Sequence, residues 1–324
     1  MPSTKGGRED ASVAPLLIPQ DTIGLIAGNG VFPLLVLEEA RRRGLRVVVL
    51  AIKGEAESRI DDTDATVHWI GLGEVSRCIK ILKQEGVGQA VMAGQVRHKK
   101  VFSLLKPDPA LLRIWSRMKT RNTDAILGAV ADVLAEEGIA LMDSTALLRP
   151  WMAAAGVLGS RSPSAEEKKD IAFGYEAARE LARRDIGQTV VVKGGAVVAA
   201  EAMEGTDETI RRAGLLVSGG LTVVKVARPA QDMRFDVPVV GPRTIEVMHQ
   251  AGCTVLALQA GMSLLLERDA LLEMADRHGI AVFGVDSREG EPEPSVPESS
   301  RAGSAGALKS GMRGTPRRKR ESRE

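Results

Sequence analysis

The densest group of side chains suited to chemistry lies in one segment, residues 225–241, with the sequence KVARPAQDMRFDVPVVG. Its charged residues are Lys225, Arg228, Asp232, Arg234 and Asp236. Arginine and lysine bind phosphoryl oxygens, and a carboxylate can hold Mg²⁺ or orient a water molecule. Prolines stiffen the segment, called the charged loop below. It suits a phosphate substrate, and the alternative is a solvated loop stabilised by its own salt bridges.

A second acidic segment, EAMEGTD, covers residues 201–207. Thr206 and Asp207 suit the start of a helix, which needs no ligand. Glu201 and Glu204 are harder to explain, because together with Asp236 they would form a carboxylate cluster. Such a cluster is costly unless a cation or a proton is shared.

Two glycine turns are candidate phosphate sites. Gly28-Asn29-Gly30 separates a strand pattern from a helix pattern, and backbone amides at a helix N-terminus attract anions. The third glycine of a dinucleotide motif is replaced by Pro33, so NAD binding is weakly supported. The second turn, with Gly94 and Gln95, leaves another strand, and we expect it beside the first turn. Asp124 opens a helix and is expected to face the same cleft.

The elements that position these residues follow an α/β pattern. TIGLIAGNG, a helix pattern and LRVVVLAI form a βαβ opening, which implies a parallel sheet. We therefore predict two α/β domains, an N-terminal Rossmann-like parallel sheet and a C-terminal mixed-sheet domain. The predicted boundaries are a flexible leader at 1–21, a nucleotide- or phosphate-binding domain at 22–155, a catalytic domain at 165–285 and a disordered tail at 286–324. A Gly/Ser/Pro-rich bridge, 152–164, joins the two domains.

Composition excludes several classes of function. Without the predicted tail the chain holds 35 basic and 35 acidic residues, so we expect no nucleic-acid partner. Cys78 and Cys253 do not have metal-ligand spacing and are expected to be reduced core thiols. No apolar run approaches the ~20 residues that span a bilayer, and no secretory signal is evident, so a cytoplasmic location is predicted.

Five motifs together resemble the LpxI-type UDP-2,3-diacylglucosamine pyrophosphatases of bacterial lipid A synthesis. They are IGLIAGNGVFP, AGQV, DIGQTVVV, EAMEGTDETI and KVARPAQDMRFDVPVVG, and the resemblance covers about residues 22–285. It implies Mg²⁺-dependent hydrolysis of UDP-2,3-diacylglucosamine to UMP and 2,3-diacylglucosamine 1-phosphate. It also implies two α/β domains with the lipid substrate between them. Relatives often show AGGG where this chain has AGNG.

The resemblance also assigns residues to roles. Asp236 corresponds to the essential aspartate of the family, and Asp232 stands where the family has Asp or Glu. With Arg234 and Lys225 these form the predicted catalytic set, while Asp236 and Glu201 are the predicted metal ligands. The predicted substrate-binding residues are Gly28, Asn29, Gly30, Gly94, Gln95, Asp124, Gln188, Glu204, Gly205, Thr206, Asp207 and Arg228.

A diacylated substrate implies an apolar surface and transient contact with the inner membrane. Apolar side chains crowd one proline-broken segment, where ordinary core is the competing interpretation: Val101, Phe102, Leu104, Leu105, Leu111, Leu112 and Trp115. The oligomeric state stays open, with a homodimer as one alternative. Two other functions also stay open, a nicotinamide-dependent oxidoreductase and a non-catalytic nucleotide-binding regulator.

Overall fold

The first half of the chain forms a parallel five-stranded sheet. The computed structural model describes residues 21–96, 108–117, 123–229 and 231–286. The strands of the first sheet are β1 (Thr22–Ala27), β2 (Arg46–Ile52), β3 (Thr66–Ile70), β4 (Gln89–Ala93) and β5 (Ala140–Leu141), in the order β3-β2-β1-β4-β5. The helices of this half are α1 (Phe32–Arg42), α2 (Val75–Gln84), α3 (Pro109–Arg117) and α4 (Thr123–Glu136). The central strands are continuous apolar runs because both faces of the sheet are covered.

The second half forms a six-stranded mixed sheet. Its strands are β6 (Gly156–Val157), β7 (Thr189–Lys193), β8 (Ala196–Ala200), β9 (Leu221–Lys225), β11 (Cys253–Gln259) and β13 (Ala281–Val285), in the order β6-β13-β11-β9-β7-β8. β9, β11 and β13 are parallel, whereas β6 and β7 are antiparallel to their neighbours. The helices are α5 (Ala165–Arg183), α6 (Thr206–Leu216), α7 (Pro242–Gln250) and α8 (Arg268–Arg277). β10 (Val239–Val240) pairs with β12 (Leu264–Leu265) in a separate two-stranded sheet.

The β7–β8 hairpin turns at Gly194–Gly195, as the sequence predicts. Both glycines have positive φ, 58° and 74°. The buried carboxylate of Asp170 accepts hydrogen bonds from both turn amides, over 2.9 and 2.7 Å. This contact attaches the hairpin to α5, which begins with a capping box formed by Ser164 and Glu167.

The charged loop packs against the first sheet. Phe235 contacts the core on one face of that sheet, and Met233 and Val237 contact the core on the other face. The bridge between the halves contacts the second half, where the amide of Ala153 donates to the carbonyl of Ser263 over 2.8 Å. Both sheets belong to one compact unit. The loop that carries the candidate chemistry is therefore held by both halves.

The architecture confirms the predicted fold class, a parallel sheet followed by a mixed sheet. Cys78 and Cys253 are buried free thiols, as expected. The 152–164 bridge is more ordered than its composition suggests, because β6 lies within it and pairs with β13. The predicted domain boundaries stay a prediction. Within the described residues, no helix has the length and apolar character needed to cross a membrane.

Candidate active site

Lys225 lies at the carboxyl end of β9, in the middle of the second sheet. Its side chain is buried, and its ammonium donates a hydrogen bond to the hydroxyl of Thr206 over 2.7 Å. A buried ammonium is costly unless it meets polar or anionic partners. Its position is therefore set by the residues that surround it.

Thr206 is the first residue of α6, after the N-cap Gly205 with φ 85°. Its hydroxyl donates to Glu201 Oε1 over 3.1 Å and accepts from Lys225. Because that single proton is used, the hydroxyl of Thr189, 3.2 Å away, donates to Thr206. The other oxygen of Glu201 accepts from the amide of Gln188 over 3.3 Å. These hydrogen bonds fix the orientation of the Thr206 hydroxyl and of the Glu201 carboxylate.

Three carboxylates act electrostatically on the Lys225 ammonium. Burial lowers the pKa of Lys225, while the negative charges of Glu201, Asp207 and Asp236 act in the opposite direction. Asp207 is itself held from α7, where it accepts from the Thr244 hydroxyl over 3.2 Å. Of the predicted carboxylate cluster, Glu201 and Asp236 act on this cation, Asp207 does so as well, and Glu204 does not belong to the group.

Asp236 is held by Arg228 and Gln231. Arg228 forms an ion pair with the Asp236 carboxylate and reaches Asp185 on its other side over 2.7 Å. The Gln231 amide group donates to the backbone carbonyl of Asp236 over 2.8 Å, and its oxygen accepts from the amide of Arg228 over 2.8 Å. The Asp236 side chain is 32% exposed, so a ligand can reach it.

The remaining charges of the loop form a separate pair. Arg234 binds Asp232 through two nitrogens, with Nε–Oδ1 2.9 Å and Nη2–Oδ2 2.6 Å. This contact lowers the pKa of Asp232 and raises that of Arg234. The loop is thus partly the salt-bridged turn that its composition also allows. Arg234 faces the first half of the chain, where the hydroxyl of Ser144 donates to its carbonyl over 2.6 Å.

The two glycine turns of the first half meet, as expected. Asn29 and Gln95 exchange backbone hydrogen bonds of 2.7 and 3.0 Å, and the Gly28 amide donates to Ala93 over 2.8 Å. A side chain at Gly94 would lie 2.6 Å from the carbonyl of Asn29, which explains the glycine. The amides of Gly28 and Asn29 therefore bind protein carbonyls, which weakens their predicted role as phosphate donors.

Other predicted residues lie apart from Lys225 or outside the described structure. Glu204 is turned towards α6, where it accepts from Arg212 over 2.8 Å and from Thr209 over 3.3 Å, and its part in substrate binding stays a prediction. The side chain of Asp124 is outside the described residues. So are residues 101–107 of the predicted acyl surface and the Trp115 side chain, whereas Leu111 belongs to the core and Leu112 is half exposed.

Four contributing residues lie outside the predicted set of site residues. Asp185, Thr189 and Gln231 contact predicted site residues, and Ser144 reaches the charged loop from the first half. Gln231 carries a usable signal, because it is an amide side chain between two charged partners in one loop. The others are ordinary polar residues far away in the chain.

The described side chains around Asp236 and Glu201 do not form a complete set of ligands for a metal ion. Among the described residues, no three His, Cys, Asp or Glu side chains are placed to share an ion. Both oxygens of Glu201 accept protein hydrogen bonds, so the geometry gives no support to its predicted role as a metal ligand.

A cavity of about 370 Å³ lies elsewhere, at the amino ends of β2 and β3. Leu34, Leu37, Arg41 and Asp64 are among its lining residues. Ligands of open α/β sheets bind at the carboxyl ends of the strands, so size alone does not make this cavity the site.

Comparison with known proteins assigns both halves of the chain to one family. A family profile described as the LpxI N-terminal domain matches residues 22–151, and one described as the LpxI C-terminal domain matches residues 154–283. The chain belongs to the LpxI family. Both halves of the chain match, so the resemblance inferred from the five motifs is confirmed.

A curated relative covers nearly the same range. It is the UDP-2,3-diacylglucosamine pyrophosphatase LpxI of Caulobacter vibrioides, 32% identical over 278 residues, which are 82% of this chain and 98% of the relative. Among solved structures, the biotin carboxylase domain of Hydrogenobacter thermophilus 2-oxoglutarate carboxylase has a TM-score of 0.23 and 15% identity. That similarity covers 54% of this chain and only 35% of the other chain, and it supports no functional argument.

Proposed function

We propose that this protein hydrolyses the pyrophosphate bond of UDP-2,3-diacylglucosamine, giving UMP and 2,3-diacylglucosamine 1-phosphate in lipid A synthesis. The observation that carries the proposal is the convergence of Thr206, from the acidic segment, with Lys225 and Asp236 of the charged loop in one site rich in cations and carboxylates. The activity named for the Caulobacter relative supports the same reaction. We further propose that the substrate lies between the two halves, which both contact the charged loop.

The proposed reaction needs charge stabilisation and an activated water. Water attacks the phosphorus that carries the sugar, a new P–O bond forms, and UMP leaves with the bridging oxygen. Arg228, Arg234 and Lys225 stabilise the negative charge that grows on the phosphoryl oxygens, because fixed cations in a partly buried site are effective there. Asp236 takes one of two roles, as base for the attacking water or as metal ligand. A positioned base contributes ~10²–10⁴-fold to the rate.

Mg²⁺ fits this site as an ion shared with the substrate. Magnesium commonly keeps several waters and binds through one or two carboxylates together with substrate phosphates. Asp236 would hold it, since that carboxylate is accessible, and the substrate pyrophosphate would supply other oxygens. The bound ion would supply charge stabilisation and lower the pKa of a bound water. Glu201 acts instead through Thr206.

The substrate also implies contact with a membrane surface. Each buried CH₂ of an acyl chain favours an apolar environment by ~0.8 kcal/mol, so a diacylated substrate stays in a bilayer until it is bound. We propose a cytoplasmic enzyme that contacts the inner leaflet transiently, and we include a homodimer as one form of it. Sedimentation with phospholipid vesicles tests the membrane contact, and light scattering measures the oligomeric state.

The alternatives receive less support. A nicotinamide-dependent oxidoreductase would need the first glycine turn to bind a pyrophosphate, but the Gly28 and Asn29 amides bind protein carbonyls. A non-catalytic nucleotide-binding regulator would also use the charged loop, without hydrolysis. It predicts that replacement of Asp236 leaves function unchanged.

The experiment measures UMP release from UDP-2,3-diacylglucosamine with Mg²⁺, with EDTA, and with the variants Asp236→Ala and Asp236→Asn. We expect release to require the metal and to fall by about 10²–10⁴-fold in both variants. Asp269→Asn is the matched control, since that side chain is 92% exposed and pairs with the neighbouring Arg268. Folded wild-type protein that releases no UMP in the presence of Mg²⁺ would overturn the proposal in favour of the regulator.

A further inference from the structure

Ser144 joins the charged loop to the first half of the chain. It follows β5 and is 1% exposed. Its hydroxyl lies 2.5 Å from the carbonyl oxygen of Met92 in β4 and 2.6 Å from that of Arg234 in the charged loop. Its backbone amide donates to the carbonyl of Met233 over 2.8 Å. One small residue therefore contacts three carbonyls from two distant parts of the sequence.

The hydroxyl has one proton for two acceptors. The two carbonyl oxygens therefore share or compete for that proton, and the low dielectric of a buried site strengthens the hydrogen bond that forms. Loss of the hydroxyl would leave a buried carbonyl with fewer donors, at a cost of ~1–3 kcal/mol. The contact is thus strong enough to fix a local arrangement without being essential for folding.

The two acceptors stand next to the candidate site. Met92 lies in β4, two residues before Gly94 of the second glycine turn. Arg234 lies two residues before Asp236 in the charged loop. The Ser144 hydroxyl therefore sets the distance between the turn of the first half and the loop that carries Asp236. Apolar contacts of Met233, Phe235 and Val237 with the core of the first sheet act in the same region, and the Ser144 hydroxyl adds a directional polar contact to them.

We infer that Ser144 is a positioning residue of the proposed hydrolase, which holds the charged loop in register with the second glycine turn. The inference rests on the proposed function and adds a residue from the first half of the chain to its machinery. Ser144 acts through Arg234 and the loop, and it does not touch the substrate. A misplacement of about 1 Å at a site can lower the rate by about 10²-fold.

The test compares three single variants. Ser144→Ala removes the hydroxyl and should lower kcat for UMP release by about 10- to 100-fold with a smaller change in KM. Ser144→Thr retains the hydroxyl and should recover most of that loss. Thr145→Val is the matched control, because Thr145 is also fully buried and its hydroxyl bonds Asp143 rather than the loop.

A second readout does not depend on activity. The amides of Phe235 and Asp236 donate to the carbonyl of Asp232, over 3.2 and 3.0 Å. Their hydrogen exchange should become faster in Ser144→Ala and stay unchanged in Thr145→Val. Unchanged exchange in Ser144→Ala would overturn the inference, and so would an equal loss of kcat in Thr145→Val. An inactive wild type would overturn the proposed function instead, and the exchange experiment would still decide the role of Ser144.

Discussion

Lys225 at the end of β9 and Thr206 in the first turn of α6 are joined by a 2.7 Å hydrogen bond between ammonium and hydroxyl. The ammonium is buried, and the carboxylates of Glu201, Asp207 and Asp236 offset part of the burial cost, which otherwise lowers its pKa. Because three acids share this one cation, its removal changes the charge balance of the whole site. This contact joins the EGTD segment to the charged loop in one site.

Lys225→Met should therefore abolish most of the activity. Methionine keeps the approximate length and the burial but removes the charge, so we expect UMP release to fall by about 10²-fold or more. Initial rates at saturating substrate measure the loss. Lys193→Met is the control, since Lys193 lies at the exposed end of the neighbouring strand β7 and donates to the Ser218 carbonyl. An active Lys225→Met enzyme would show that the buried cation is structural only.

Much of the fold could be predicted from the sequence, because local patterns determine it. The apolar run at β1 and the Gly194–Gly195 turn are signals contained in a few consecutive residues. β6 was missed because a strand of two residues has no pattern of its own and exists only through its pairing with β13.

The part of the site that lies in one loop could be predicted from the sequence. The contacts between residues that are far apart in the chain could not. The charged loop was found from its composition, yet the pairing of Arg228 with Asp185 required the structure. The contact of Glu204 with Arg212 also required the structure, because in the sequence its charge resembles that of Glu201. Ser144 gave no signal, since a serine after a short strand is common and its partners lie 52 and 90 residues away.

Arg228→Lys should impair the enzyme although the charge is kept. Arg228 reaches Asp185 and Asp236 from opposite sides of one planar guanidinium, and a lysine ammonium cannot span both. We expect about a 10-fold or greater fall in kcat/KM, measured by UMP release over a range of substrate concentrations.

Asp185→Asn separates the two contacts of Arg228. The Asp185 side chain is 66% exposed, and exposed ion pairs contribute little, so this variant should retain most of the activity. Equal losses in Arg228→Lys and Asp185→Asn would mean that Arg228 acts by holding Asp185 rather than Asp236.

Gly94→Ala should separate the two glycine turns. Gly94 has φ 87°, and an added Cβ would lie 2.6 Å from the Asn29 carbonyl oxygen. Gly30→Ala is a matched control, because Gly30 has φ 93° but open space around its Cβ position. Urea unfolding should show a loss of ~1–3 kcal/mol from backbone strain in both variants and a larger loss in Gly94→Ala. Equal losses of unfolding free energy in Gly94→Ala and Gly30→Ala would indicate that the two turns can move apart without loss of stability.

Glu167→Gln should reveal a pH-dependent contribution to stability. The Glu167 carboxylate binds Arg161 over 2.7 Å and accepts from Thr254, and its pKa falls from 4.5 to about 2, chiefly through Arg161. A carboxyl with a lowered folded pKa stabilises the protein above its unfolded pKa of 4.5, and this contribution is lost as the pH falls towards 2. At pH 7 the wild type should exceed Glu167→Gln by roughly 2–3 kcal/mol in urea unfolding, and the two should converge only below a pH of about 2. Glu166→Gln, at a side chain 81% exposed, should show almost no difference at either pH. A difference between wild type and Glu167→Gln that stays constant with pH would mean that hydrogen bonding rather than charge holds Arg161.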